Sequence, residues 1–204
     1  MQKTKVLIVV VLSLIFIISA YIAFSGIIFN IEKEFNLLLN SNKNNSVIMK
    51  FFTTVGEVGG VVIVTAFFML LPKTRKRVGT PLSVTVIFSW FLCTVVKYSV
   101  RRERPLFKLL EVGGFSFPSG HAMNNAALYI ALMILLLKMC ATKVQKTAVC
   151  IICVTIPFAV GVSRMYFNVH YFTDVVCGWC LGSIIAVVIT GLYFNYTKRN
   201  GLRE

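Results

Sequence analysis

Six separate stretches of this 204-residue chain are each long and apolar enough to cross a lipid bilayer, and that alone leaves little freedom in how it can fold. The hydrocarbon layer is about 30 Å thick, and a helix rising about 1.5 Å per residue crosses it in about 20 mainly apolar residues. Windows of that kind lie at 6–29, 51–71, 80–100, 119–137, 147–169 and 175–194. Composition agrees: 57% of residues are hydrophobic and mean hydropathy is +0.82, well above an ordinary soluble domain. The first window follows Lys3 and Lys5 as a signal sequence would. It exceeds a signal core of about 7–15 apolar residues, so it is expected to persist as a span. No repeat, Pro- or Ser-rich linker or low-complexity tract divides the rest. The expectation is an all-α, six-transmembrane-helix bundle, one membrane domain over residues 1–204.

A net charge of +14 would suggest nucleic acid in a soluble protein, but here the cations sort by loop. Lys3, Lys5, Lys73, Arg75, Lys76, Arg77, Lys138, Lys143, Lys146, Lys198, Arg199 and Arg203 all fall on one side of six alternating spans. The positive-inside rule makes that side, and both termini, cytoplasmic, in a multi-pass protein of a bacterial cytoplasmic membrane. No nucleic-acid partner is expected. Lys97, Arg101, Arg102, Arg104, Lys108 and Arg164 fall on the outer side, against the rule. An anionic partner at the outer face is the simplest reason to keep them there.

Three outer segments carry candidate chemistry. In "KYSVRRERP" (97–105), Lys97 and Arg101 are one helical turn apart and face the same way, while Arg104, preceding Pro105, is biased out of the helix. In "FSFPSGHAMN" (115–124), Pro118 suits a helix start, Ser119 can cap it, and Gly120 permits close approach to free N–H groups and the positive helix end. That is a phosphate cradle carrying His121. In "GVSRMYFNVHYFTD" (161–174), His170 and Asp174 are four apart and can meet on one turn, with Arg164 six residues earlier. A carboxylate on one imidazole nitrogen fixes the tautomer and leaves the other lone pair free to attack, and an Arg fork matches phosphate oxygens.

His121, His170 and Asp174 fit either a two-histidine, one-carboxylate metal site or a nucleophile, acid and orienting group. Lys97, Arg104 and Arg164 beside them would repel a divalent ion but would stabilise a transferring phosphoryl group. No metal and no cofactor is therefore expected. With one aspartate and six glutamates, scattered, the chain is also a poor two-metal phosphatase.

Lys97 followed after six residues by Arg104-Pro105, then Pro118-Ser119-Gly120-His121, then Ser163-Arg164 with His170 and Asp174 at the matching spacing, resembles the complete three-part signature of the type 2 phosphatidic acid phosphatase superfamily. The resemblance implies metal-independent hydrolysis of a lipid phosphate through a phosphohistidine. It implies His170 as nucleophile, Asp174 as its orienting partner and His121 as the acid that protonates the leaving oxygen. Lys97, Arg104, Ser119, Gly120 and Arg164 would bind phosphate. Undecaprenyl diphosphate, phosphatidylglycerol phosphate and phosphatidic acid all fit. Arg101, Arg102 and Lys108, as cations beyond those one phosphate needs, favour the first two. A phosphotransferase, or a lipid-phosphate binding or transport protein, uses the same cations differently and stays open at this point.

Two other features need placing. Cys150, Cys153, Cys177 and Cys180 form two CxxC pairs inside spans and read as small buried apolar residues, not zinc or redox ligands. Glu57, inside the second window, is expected to pair with Arg102 or another outer cation. The 30–45 segment is expected either to lie in the interface or to cover the site.

Overall fold

Lipid offers no hydrogen bonds to a peptide group, so a spanning segment must satisfy its own backbone, and this chain does so with helices throughout. The computed structural model describes residues 2–39 and 46–201, and no strand occurs among them. The elements are α1 (Gln2–Ser25), α2 (Phe29–Leu39), α3 (Val47–Val55), α4 (Val58–Leu70), the single turn α5 (Pro72–Thr74), a π-helical turn (Arg75–Gly79), α6 (Thr80–Val100), α7 (Gly120–Leu137), α8 (Lys143–Tyr166) and α9 (Phe172–Arg199).

Five helical segments are long and apolar enough to cross a membrane: Lys3–Ser25, Pro72–Val100, Gly120–Leu137, Lys143–Tyr166 and Phe172–Arg199. A sixth crossing exists if α3 and α4 are taken together, and these meet at a 54° bend. The window at 51–71 is thus a broken span. Its break falls at Gly56 and Glu57, where the backbone turns extended (Glu57 ψ 167°). The carbonyl of Gly56 accepts a hydrogen bond from Asn125 Nδ2 at 2.8 Å, so the break is paid for by protein and not exposed to lipid. The other windows shift by a few residues at their ends. Window 80–100 extends back to Pro72 through the π-turn, and window 6–29 stops early at Gly26, whose φ of +72° ends α1.

α7 and α9 form the most extensive helix pair and, with α6 and α8, enclose the core. Small residues make the approach possible. A Cβ at Gly178 would lie 2.8 Å from the carbonyl oxygen of Ser119, and one at Gly182 would collide with that of Met123. The outward faces stay apolar, with Ile87, Phe88 and Phe91 of α6 and Ile151, Ile152 and Val154 of α8 exposed. That is the expected surface of a protein whose solvent on those faces is lipid.

Replacing Gly182 with Val should lower stability by about 1–3 kcal/mol through overpacking at a backbone contact. Gly59→Ala, where an added methyl meets nothing within 4 Å, should be neutral or slightly stabilising. Thermal unfolding of the detergent-solubilised protein compares them, and equal losses would contradict backbone-close packing of α7 on α9.

Candidate active site

Four helix ends meet at one end of the bundle: the C-termini of α6 and α8 and the N-termini of α7 and α9. α6 is stopped by Arg101, which takes the left-handed conformation (φ 54°, ψ 35°). Its Nε donates back to Tyr98 O at 3.0 Å and the side chain stays exposed. Arg101 therefore does not share the Lys97 face as the helical spacing suggested, because the helix ends one residue before it. The 101–119 loop then folds over the helix ends. Lys97 Nζ donates to the carbonyls of Phe115 (2.7 Å) and Ser116 (3.4 Å), and Ser116 N donates to Arg102 O (2.8 Å). Ser119 caps α7, accepting from Ala122 N, while its own N–H donates to Asp174 O at 3.0 Å. Gly120 leaves room beside it: a Cβ there would lie 3.7 Å from Lys97 Cε.

His170 sits in the short connection between α8 and α9 and is 2% exposed. Arg104 Nη1 approaches its Nε2 at 3.1 Å. A guanidinium only donates, so Nε2 must carry the lone pair and Nδ1 the proton. Nδ1 is 3.3 Å from Ser116 Oγ, which donates in turn to Asp174 Oδ2. The direct His170 Nδ1 to Asp174 Oδ2 separation is 3.7 Å, too long for a hydrogen bond. The four-residue spacing brings the pair onto one turn, but Ser116 bridges it. Burial holds the His170 imidazole well below its ordinary 6.5, with Asp174 opposing. The ring is neutral at pH 7.

Asp174 is fully buried. Oδ2 accepts from Tyr171 N at 3.0 Å, at the start of α9, and Oδ1 accepts from Arg102 Nη1 at 2.6 Å. Arg102 also donates through Nη2 to Glu32 Oε2 (3.0 Å) and through Nη1 to Thr173 Oγ1 (2.9 Å). Glu32 in turn accepts from Thr173 N and Oγ1 at 2.8 and 2.7 Å. Burial opposes the Arg102 charge, but Asp174 and Glu32 more than offset it and hold the guanidinium above its ordinary range. Of the partners expected for Glu57, Arg102 is not one, and the outer cation that its field reaches is Arg164. Glu57 is exposed at the break between α3 and α4 and Arg102 already has two carboxylates. Nor is Arg102 a spare cation for a second phosphate.

The 30–45 segment neither lies wholly in the interface nor merely covers the site. α2 buries Glu32 and Asn36, and Asn36 Nδ2 donates to His170 O (3.0 Å) and Asn168 Oδ1 (3.2 Å). Residues 40–45 of that segment lie outside the described residues. Asn168, at φ 51°, also donates to Leu106 O at 2.6 Å, tying the His170 turn to the loop.

Arg104 is held by four contacts: Nε to Gly114 O (3.0 Å), Nη2 to Gly113 O (3.0 Å), and Nη1 to Val169 O (2.8 Å) and His170 Nε2. Arg164 is buried and its Nη1 donates to Thr53 Oγ1 of α3, while its Nε finds no protein acceptor among the described residues. His121 Nε2 is likewise buried without a protein partner, in the field of Arg164, His170, Arg104 and Lys97. All eight residues expected from sequence thus cluster at this end. Ser116, Glu32, Asn36 and Thr53 join them without sequence warning, since none sits at a spacing that marks it, and Arg102, expected as a surplus outer cation, joins them as a partner of Asp174. Among the described residues no group of three or more His, Cys, Asp or Glu side chains could hold a metal. The cysteines are free; Cys153, Cys177 and Cys180 are buried as expected, while Cys150 is only half-buried.

This arrangement, a buried imidazole with its lone pair turned to an arginine at the ends of membrane helices, is that of an integral membrane phosphoryl-handling protein. The PAP2 superfamily model matches residues 78–198, more than half of the chain, and the chain belongs to that superfamily. It is 39% identical over 99 residues to phosphatidylglycerophosphatase B of Bacillus subtilis strain 168, a match covering 48% of this chain and 49% of that protein. The match thus spans about half the length of that relative. It is 29% identical over 188 residues to the undecaprenyl-diphosphatase of Sulfolobus acidocaldarius, covering 87% of this chain and 86% of that one. Its fold superposes on the crystal structure of a transmembrane PAP2-type phosphatidylglycerolphosphate phosphatase from Bacillus subtilis with a TM-score of 0.81 and 28% identity, over 92% of this chain and 96% of that one.

Glu32→Gln leaves Arg102 with one charged partner and should cost about 2–3 kcal/mol of stability, whereas Glu34→Gln on the exposed side of α2 should cost almost nothing. Denaturant unfolding reads both, and equal values would remove Glu32 from the network. Because folding depresses the His170 pKa, the unfolded chain takes up its proton near 6.5 while the folded chain does not. His170's contribution should therefore erode stability as pH falls below about 6.5, and His170→Asn should flatten that part of the pH–Tm curve.

Proposed function

We propose that this protein is a lipid phosphate phosphatase that works without metal through a phosphohistidine on His170. The observation that carries the reading is the His170 Nε2 lone pair, directed at the Arg104 guanidinium while Nδ1 is backed by Ser116 and Asp174. Arg104, Arg164 and Lys97, with Ser119 and the Gly120 backbone at the α7 N-terminus, bind the phosphate oxygens and offset their charge. With phosphate bound, Arg104 turns its fork from Nε2 to oxygen, freeing the lone pair. Nε2 attacks phosphorus and the phosphorus–oxygen bond to the lipid breaks. His121 gives its proton to the departing oxygen. The positive charge arising on the His170 ring is balanced through Ser116 by Asp174. A water then gives a proton to His121 and attacks phosphorus, the nitrogen–phosphorus bond breaks, and phosphate leaves with His170 restored.

Placement supports a lipid substrate. The phosphate is bound at the ends of the spans, so an acyl or prenyl tail lies alongside helices. The two named relatives favour a phosphatidylglycerol phosphate or a polyprenyl diphosphate over phosphatidic acid. The surplus-cation argument for a diphosphate weakens, since Arg102 is committed to Asp174 and Glu32 and Lys108 Nζ to Val112 O. The charge asymmetry supports a site on the extracytoplasmic side of a bacterial cytoplasmic membrane, with Arg203 outside the described residues.

Purified protein should release inorganic phosphate from lipid phosphates, and His170→Ala should abolish release by at least about 10³-fold with an unchanged unfolding curve. EDTA should leave the rate unchanged and vanadate should inhibit. A side-by-side assay on the three lipid classes ranks the substrates. Phosphoryl transfer to another acceptor in place of water would favour the phosphotransferase reading, and binding without release would favour a carrier.

A further inference from the structure

At the opposite end of the bundle the ends of α7 and α9 and the turn before α6 enclose a cavity of about 1030 Å³. It is separated from the His170 site by about 20 Å, the rise of α7 from Gly120 to Leu135. Lys73, Arg75, Lys76, Arg77 and Lys138 line it, and among the described residues no carboxylate does. No described carboxylate forms an ion pair with Lys73, Arg75, Lys76 or Arg77 either. Loop cations that only set membrane orientation need no common direction. Here they share one cavity because the backbone carrying them is fixed.

That backbone is the π-turn Arg75–Gly79. Gly79 is wedged against the preceding helix: a Cβ there would lie 2.7 Å from both Met69 Cα and Phe68 O. Thr80 Oγ1 donates to Arg75 O at 3.1 Å, Thr74 Oγ1 donates to Phe68 O at 3.1 Å, and Tyr193 Oη of α9 donates to Lys76 O. With two of its carbonyls, Arg75 O and Lys76 O, engaged by neighbouring hydroxyls, the turn presents three cations in a row, and Lys73 stands just before it. Single π-turns of this kind are concentrated at functional sites.

The other wall is apolar. Leu135 in the last turn of α7, Met139 just beyond it and Phe194 of α9 supply it, and Lys138 Nζ stands 3.5 Å above the Phe194 ring. These residues belong to the last turns of spanning helices, at the depth where a lipid headgroup meets its chains. A free anion would use the cations and leave that wall idle, whereas an anionic amphiphile uses both.

We propose that this cavity is a non-catalytic site for an anionic phospholipid of the adjacent leaflet, its phosphate on the Arg75–Arg77 turn and its glycerol end on Phe194 and Leu135. The inference does not depend on the reaction assigned to His170.

Purified wild-type protein in a neutral detergent, titrated with short-chain phosphatidylglycerol and read by native mass spectrometry, tests it. Phosphatidylglycerol is a phosphodiester and carries no terminal phosphoryl group for His170. It should bind well above phosphatidylcholine of the same chain length, and glycerol 3-phosphate or inorganic phosphate at equal concentration should not displace it. Arg75→Gln with Arg77→Gln should weaken binding about thirtyfold, from a contribution of about fivefold per cation near a membrane surface. Lys198→Gln with Arg199→Gln removes the same charge from the same end, outside the cavity, and should change binding less than threefold. Phe194→Ala, which keeps every cation, should also weaken binding. Equal retention of the two lipids, displacement by soluble phosphate, or equal loss in the two double variants would each overturn the proposal.

Discussion

Arg102 is the hinge of the site. A single guanidinium joins Asp174, Glu32 and Thr173, and so ties the loop after α6 to both the first turn of α9 and the amphipathic α2. Three charges in a space this dry are stable only together: with one removed, desolvation of the others has no compensation. The payoff is geometric. Asp174 is held by one oxygen on Arg102, so its other oxygen is free to fix Ser116, and Ser116 sets the tautomer of His170. The orientation of the His170 ring is thus settled two hydrogen bonds away from it, by the Arg102–Asp174 pair.

The membrane character and five of the spans were legible from hydropathy, because a spanning helix must be apolar along its whole length and that leaves an unmistakable run. The break in the second span was less legible. Gly56 and Glu57 mark it in the sequence, but whether such a pair bends a helix depends on who accepts or donates to the freed backbone, and Asn125 comes from 69 residues away. The eight motif residues could be read because their spacing is local to helix ends. The groups that position them could not, since Glu32, Asn36 and Thr53 reach the site only through tertiary packing and look in sequence like ordinary polar residues. Glu57 illustrates how an expected partner can be exchanged: Arg102 is satisfied by Asp174 and by Glu32, on a helix whose role the sequence left open, and the field of Glu57 falls instead on Arg164, another outer cation.

Two cationic regions therefore divide the molecule. One, at the His170 end, is interleaved with buried carboxylates that tune and aim it. The other, at the Arg75–Arg77 turn, contains none among the described residues. The same residue types serve precision in the first and general attraction in the second, and the difference lies in what has been placed between them.

Glu32, Asn36 and Thr53 all precede residue 78, where the superfamily match begins. A fragment cut at that boundary would keep every motif residue and lose the second carboxylate on Arg102, the amide under the His170 carbonyl and the hydroxyl on Arg164. The smallest autonomous unit of this site is larger than the signature that identifies it. For transplantation into another scaffold, the piece to move is the signature together with the two helices that buttress it.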